Sequence, residues 1–161
     1  MANTLTLRHA VPSDLSAVDR LLARSYPRIL ARDYPPSVIV TAVPILARAR
    51  PELLASGRYL VVIAGTGEVV GAGGWSGGRG GAQVRHVATD PDHLRQGIGR
   101  RLLDRVIAEV TTAGIAELEC VSTLTAVPFY ASLGFQVIGP VTITLRPGID
   151  FAAVQMRRGL P

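Results

Sequence analysis

Apolar and polar positions along the chain change period several times, and each change marks an element. Thr4–Arg8 alternates with a period of two and reads as a first strand. After Pro12-Ser13-Asp14, residues Leu15, Val18, Leu21 and Leu22 recur at helical spacing, with Ser13 as the expected N-cap. Ser25–Pro36 is a proline-punctuated connection carrying Tyr26 and Tyr34. A second helix is expected over Ser37–Arg48, interrupted at Pro44, with a short helical turn over Pro51–Ser56. Arg58–Ala64 and Glu68–Trp75 flank Gly65-Thr66-Gly67, which is the turn chemistry of a β-hairpin. Ser76–Gly81 reads as a loop and Ala82–Thr89 as a strand. Ile98, Leu102, Leu103, Val106, Ile107 and Val110 then line one face of a main helix over Gly97–Thr112, closed by Gly114. A strand over Ala116–Val121 and a short helix over Thr125–Ser132, stopped by Gly134, follow. Strands over Phe135–Leu145 and Phe151–Arg157 complete the pattern.

The order β-α-α-β-β-β-α-β-α-β-β sets an antiparallel hairpin ahead of a β-α-β unit. It predicts one domain over residues 1–161 of the α/β (α+β) class, with a mixed, twisted sheet of about seven strands flanked by helices. A chain of 161 residues is long enough to bury a core of its own.

Composition narrows the class. At 48% hydrophobic and 18% charged residues the chain is globular rather than disordered. Its longest apolar runs, such as Tyr59–Ala64, have the length of strands. None approaches the roughly 20 residues of a membrane-spanning helix. The start MANTLTLRHA lacks the basic segment and apolar core of a secretory leader, and the single Cys120 forms no intrachain disulfide. A cytoplasmic location is the expectation. The net charge of +5 comes entirely from arginine, which suits an anionic ligand. The arginines are scattered, and the 5% aromatic residues do not interleave with a basic stripe, which counts against nucleic acid. His9, His86 and His93 lie at spacings with no zinc signature, so no metal is expected.

Chemistry concentrates in Asp90–Leu103, DPDHLRQGIGRRLL. Gly97 and Gly99 stand between a strand and a helix start, flanked by Arg95, Arg100 and Arg101. Free main-chain N–H groups at the positive end of a helix dipole attract an anion. Glycine lets it approach the backbone, and arginine grips a phosphate with two donors. The stretch reads as a pyrophosphate cradle. Two alternatives fit poorly. Position 102 is Leu where a dinucleotide fingerprint has its third glycine, and the chain has no lysine for a P-loop.

Val84–Leu103 resembles the acetyl-CoA signature of the GNAT superfamily of N-acetyltransferases: a strand, a proline-containing turn, then Gly97-Ile98-Gly99 opening a long helix. Leu94 stands where the family pattern has Arg or Gln. Thr125–Phe135, TAVPFYASLGF, resembles the second family signature, with Phe129-Tyr130 and Leu133-Gly134-Phe135 intact and Thr125 near the usual Asn. The resemblance covers nearly the whole chain. It implies acyl transfer from acetyl-CoA to an amine, with a small-molecule or amino-acid-like acceptor. The other reading it leaves open is an acyl-CoA-binding regulatory or sensing protein without amine turnover.

The resemblance also implies residue roles. Ala82–Thr89 and Ala116–Val121 become a splayed parallel pair between which the pantetheine arm lies like an added strand. Val87, Ala88 and Thr89 offer it main-chain partners, and an N–H there faces the developing oxyanion. Arg95, Gln96, Gly97, Ile98, Gly99 and Arg100 form the cradle, with Thr125, Phe129 and Tyr130 completing the cofactor site. Tyr130 is the expected general acid for the leaving thiolate. No acid lies on Ala82–Thr89, so the base is His86, by its strand position and ordinary pKa, or water. Tyr26, Tyr34 and Trp75 are expected around the acceptor, where aromatic faces attract a cationic amine, and Arg85 could pair a carboxylate on it. Glu117 and Glu119 read as a solvated strand face, and Cys120 as core. The C-terminal strands offer the edge by which similar proteins form homodimers.

Overall fold

Seven strands form one sheet in the order β1-β2-β3-β4-β5-β7-β6, in a computed structural model that describes residues 4–78 and 80–161. They are β1 (Thr6–His9), β2 (Tyr59–Ile63), β3 (Val69–Gly78), β4 (Gly81–Thr89), β5 (Glu117–Thr123), β6 (Gln136–Arg146) and β7 (Ile149–Gly159). Every neighbouring pair is antiparallel except β4 and β5. A parallel pair needs a long crossover, and α5 (Ile98–Thr112) supplies it.

The period-two pattern sorts side chains between the two faces of the sheet. On β2, Leu60 and Val62 pack with Leu102, Leu103 and Val106 of α5. Tyr59 and Val61 pack on the other face with Val18, Leu21 and Leu22 of α1 (Leu15–Leu30). β3 is rich in glycine where α5 crosses it, and a Cβ on Gly71 would collide with the Ile98 side chain. The missing side chain sets how closely the main helix lies on the sheet.

The element order is the expected one, with corrections. The helix expected over Ser37–Arg48 is two pieces, α2 (Pro36–Thr41) and α3 (Val43–Leu46), with Pro44 in the first turn of α3. α4 (Pro51–Leu54) and α6 (Val127–Ser132) are the two short turns. α1 runs on through Ser25 to Leu30 and contains Pro27, where a connection was expected. The buried stripe Val18, Leu21, Leu22, Ser25, Leu30 keeps helical spacing, so burial outweighs the hydrogen bond lost at Pro27. Ser13 is not the cap: Pro12–Asp14 forms a 3-10 turn, and Asp14 accepts the Val11 N–H at 2.8 Å. The Asp14 carboxylate also takes two hydrogen bonds from Arg8, at 2.8 and 3.0 Å. Those bonds outweigh burial and hold it below the usual carboxylate range.

The loop expected over Ser76–Gly81 is mostly strand: Gly77 pairs with Ala82 and Gly78 with Gly81. Arg79 lies outside the described residues, as do residues 1–3 of the sequence start.

β4 is irregular where function was expected. Gly74 pairs with Arg85 and Ala72 with Ala88, so three residue steps on β4 stand against two on β3. This is a bulge. His86 sits in it at φ +49°, a left-handed backbone that costs a β-carbon-bearing residue energy. The extra residue reverses the alternation: Ala82 packs on the α5 face and Ala88 on the α1 face.

Candidate active site

β4 and β5 pair only at Ala82–Leu118 and Gln83–Glu119. Beyond that point β5 stays bonded to β7 as far as Thr123–Ala153, while β4 bulges away. The two strands therefore part. Between them opens a cleft of about 300 Å³, walled by β4 from Gln83 to Val87 and by β5 from Cys120 to Thr123. A second cleft, of about 280 Å³, runs past Thr89, Leu94, Gly99, Thr125 and Phe129 toward the start of α5. Tyr26, Val87, Thr123, Ala126 and Tyr130 border both clefts. The two spaces share these walls at the parting of the strands.

The cradle is built from backbone. Arg95 at φ +64° and Gly97 at φ +75° are both left-handed, on either side of Gln96. Mixing left- and right-handed residues turns successive N–H groups to one concave side, where an anion is held. Ile98, Gly99 and Arg100 occupy the first turn of α5, so their N–H groups have no acceptor within the helix. The Arg101 N–H is the first to find one, the Gly97 carbonyl at 3.0 Å. Gly99 also needs its lack of a side chain: a Cβ there would lie 3.1 Å from the Phe129 ring.

A buried ion pair ties this turn to α1. Asp90, only 2% exposed, accepts two hydrogen bonds from Arg24, at 2.6 and 2.9 Å, and the Asp92 N–H at 2.9 Å. Burial alone would raise the Asp90 pKa. The Asp92 N–H and the Arg24 guanidinium outweigh it and hold the carboxyl below its ordinary value.

Tyr130 stands where the clefts meet. Burial pushes its phenol well above the ordinary tyrosine value, with Cys120 and Tyr26 adding to the shift. It is therefore a proton donor, not a phenolate, at neutral pH. Phe129 and Phe135 meet its ring edge-on, at centroid distances of 5.2 and 5.4 Å, and fix its orientation. Cys120 borders the first cleft, and burial pushes its thiol up to about 12. A thiol so protonated is a weak nucleophile.

His86 borders the same cleft, and its carbonyl accepts the Tyr59 hydroxyl at 2.8 Å, which pins the bulge. Burial, then the charges of Arg50 and Arg85, push its imidazole down to about 4, against a smaller opposing effect of Glu52. It is uncharged at neutral pH.

Of the residues expected around the acceptor, Tyr26 and Arg85 border the first cleft. Tyr34 and Trp75 are not brought there. Tyr34 stacks on Phe151 at 4.5 Å and donates its hydroxyl hydrogen to the Ala152 carbonyl at 2.7 Å. The same hydroxyl accepts the Leu124 N–H at 2.8 Å. It fastens the turn after β5 to β7. Trp75 faces α5, because β3 continues to Gly78 and its alternation points that residue into the α5 core. Its indole N–H donates to Glu109 at 3.1 Å, and Arg58 covers the ring at 4.4 Å.

Sequence reasoning missed Arg50, Tyr59 and the Arg24–Asp90 pair. Only Asp90 left a local signal, as an Asp-Pro step at a turn whose N–H it caps. The others arrive from distant parts of the chain.

An acyl-CoA fits the residues present. The nest and first helical turn suit a pyrophosphate. Thr125 Oγ1 is buried without a hydrogen-bond partner, at the wall of the second cleft, where an amide-bearing arm could satisfy it. Among the described residues, no group of His, Cys, Asp and Glu is arranged to hold a metal ion. No helix among them is long and apolar enough to cross a membrane.

A family model described as an acetyltransferase (GNAT) domain matches residues 31–158. The [ribosomal protein bS18]-alanine N-acetyltransferase of Escherichia coli K12 is 42% identical over 57 residues, 34% of this chain and 38% of that relative. The match thus spans well under half of the curated relative. A GCN5-related N-acetyltransferase structure from Rhodopseudomonas palustris superposes with a TM-score of 0.79 at 20% identity, covering 99% of each chain. The PaiA N-acetyltransferase of Thermoplasma acidophilum, solved in complex with coenzyme A, gives 0.73 at 17% identity over 97% of this chain and 99% of the other. At such identities these likenesses speak to the fold alone.

Proposed function

This chain belongs to the GNAT acetyltransferase family, and on that premise we propose that it moves an acetyl group from acetyl-CoA to a primary amine of a small molecule or amino-acid-like substrate. The observation that carries the reading is the parting of β4 and β5 after Gln83–Glu119, which joins a cleft beside Tyr130 to the anion cradle of α5.

Acetyl-CoA supplies an acyl carbon joined to a good leaving group. The N–H groups from Arg95 to Arg100 bind its diphosphate, and the freed edge of β4 at Val87, Ala88 and Thr89 holds its arm. Thr125 takes a polar atom of that arm, and Phe129 packs beside it. Main-chain N–H groups at the bulge steady the carbonyl oxygen as negative charge grows on it. The amine nitrogen forms the new C–N bond as the C–S bond breaks. The nitrogen gives up a proton to solvent, and Tyr130 donates one to the departing sulfur, to be reprotonated from water. His86 is a weak base at a pKa of about 4, so water is the better acceptor of the amine proton. The protonated state of Cys120 supports direct transfer without an acyl-cysteine.

The reading extends to residues 1–161 acting as one cytoplasmic domain, and to a homodimer through β6. That strand ends the sheet and carries Val137 and Ile138, 57% and 49% exposed. Sedimentation of the purified protein tests the dimer. Calorimetric titration with acetyl-CoA, with NAD and ATP as controls, tests the cofactor, and thiol release with a panel of amines tests the transfer. Binding without turnover of any amine would favour an acyl-CoA sensor. Absence of acetyl-CoA binding would remove the enzyme reading.

A further inference from the structure

The first cleft carries a charge pattern that acyl transfer by itself does not require. Arg50, just before α4, and Arg85, on β4, both border it. Among the described residues that border it, none is Asp or Glu. The acid beside Arg50 is Glu52, 4.0 Å away and 70% exposed, too distant and too wet to neutralise a guanidinium. Arg85 donates to the neutral hydroxyl of Ser76 at 3.1 Å, which orients the guanidinium and leaves its charge unspent. Both arginines act on the same space, because they line one cleft together with His86. A cleft of about 300 Å³ has the size of a small-molecule site.

We infer that Arg50 and Arg85 bind a carboxylate on the acceptor, so that the amine acetylated here belongs to a free amino acid. A guanidinium presents two parallel donors that match a carboxylate, and it does so best where water is partly excluded. The inference rests on the acetyltransferase reading and narrows its acceptor. It has a chemical consequence. The burial that, ahead of the arginine charges, disfavours a protonated His86 also disfavours an ammonium, so an amino acid held by its carboxylate presents more of its neutral, reactive amine. The cleft then does part of the work of the missing strand carboxylate. It does so without a basic side chain: one proton leaves the ammonium to solvent before the C–N bond forms, and the second leaves the nitrogen to solvent as the amide forms.

The test uses the full chain, acetyl-CoA and matched acceptors: the common L-amino acids, their carboxamides and their decarboxylated amines. Calorimetry first establishes whether acetyl-CoA binds, and thiol release then gives kcat/KM. At least one amino acid should exceed its own carboxamide and amine by about 10–100-fold, the range expected of a charge-assisted hydrogen-bond pair. Arg50→Gln and Arg85→Gln should each raise KM for that amino acid about tenfold or more and shrink the gap to its carboxamide. The acetyl-CoA Kd should stay unchanged. Carboxamides or simple amines used as well as free amino acids would overturn the inference while leaving the transferase reading intact. So would transfer to no amino acid by a protein that binds acetyl-CoA. Failure to bind acetyl-CoA would end both. The comparison of acids with amides on the unmutated protein decides the matter even if a variant folds poorly.

Discussion

A β-carbon placed on Gly99 would stand 3.1 Å from Cζ of Phe129. The glycine of the cradle and the aromatic of the second signature are thus one contact, made between the first turn of α5 and α6. Gly99→Val should push the Phe129 ring into the second cleft and weaken acetyl-CoA binding by about tenfold or more. Gly97→Ala acts differently. Its site has open space but a φ of +75°, so the cost is conformational, about 1–2 kcal/mol of stability. Calorimetry and denaturant melts on the two variants separate the effects, and equal behaviour would contradict this assignment.

Asp90 and Arg24 lock the cradle turn to α1. Asp90→Ala should cost about 2–3 kcal/mol in urea unfolding, as expected for hydrogen bonds to a buried charge. The Asp90 carboxyl is held below its ordinary value in the folded protein. Its contribution is therefore complete above about pH 4. It is lost as the pH falls through the folded value, because the unfolded chain takes the proton first. Asp90→Asn should flatten that acid limb of the stability curve.

His86 follows the same sign in a higher window. Burial, Arg50 and Arg85 hold its pKa at about 4, with Glu52 opposing, whereas an unfolded histidine titrates near 6.5. Between those values the unfolded chain binds the extra proton, so stability should fall as the pH drops from about 6.5 toward 4. NMR of the imidazole protons should find no midpoint near neutrality. His86→Asn, which tolerates the left-handed backbone, should remove that part of the slope. A midpoint above 6 would contradict the described surroundings of His86.

Tyr130→Phe keeps the ring packed between Phe129 and Phe135 and removes one hydroxyl. Its melting temperature and acetyl-CoA Kd should change little. Its kcat should fall by about 10–100-fold, at the lower end for acid–base groups because a thiolate leaves readily. The raised phenol pKa puts no alkaline limb from Tyr130 below pH 10 in the kcat profile.

Local chemistry accounts for what the sequence made legible. The hairpin at Gly65-Thr66-Gly67 forms as read, with the Gly67 N–H bonded to the Ala64 carbonyl at 2.8 Å. The apolar stripe of α5 is buried as its spacing required. Ser13 and Pro27 misled for the same reason: each was judged by its own preference. Asp14, held by Arg8, and the buried stripe of α1 decided those positions instead. Trp75 was assigned from its place near a strand end, but strand parity sends it toward α5.

The sequence alone was enough for the order of elements, the family resemblance and the glycine turn that opens α5, because each depends on residues close in the chain. Glycine at 97 and 99, a strand before them and an amphipathic helix after them leave few other local structures. The cleft between β4 and β5 was another matter. Arg50, Arg85, His86 and Cys120 border one cleft because β4 gains a residue at its bulge and leaves β5 after Gln83. No local period records that departure. It follows from long-range pairing and packing, and those same contacts shift the pKa values of His86, Cys120 and Tyr130. Tertiary structure therefore decided which side chains share the cleft and which charge states they hold there.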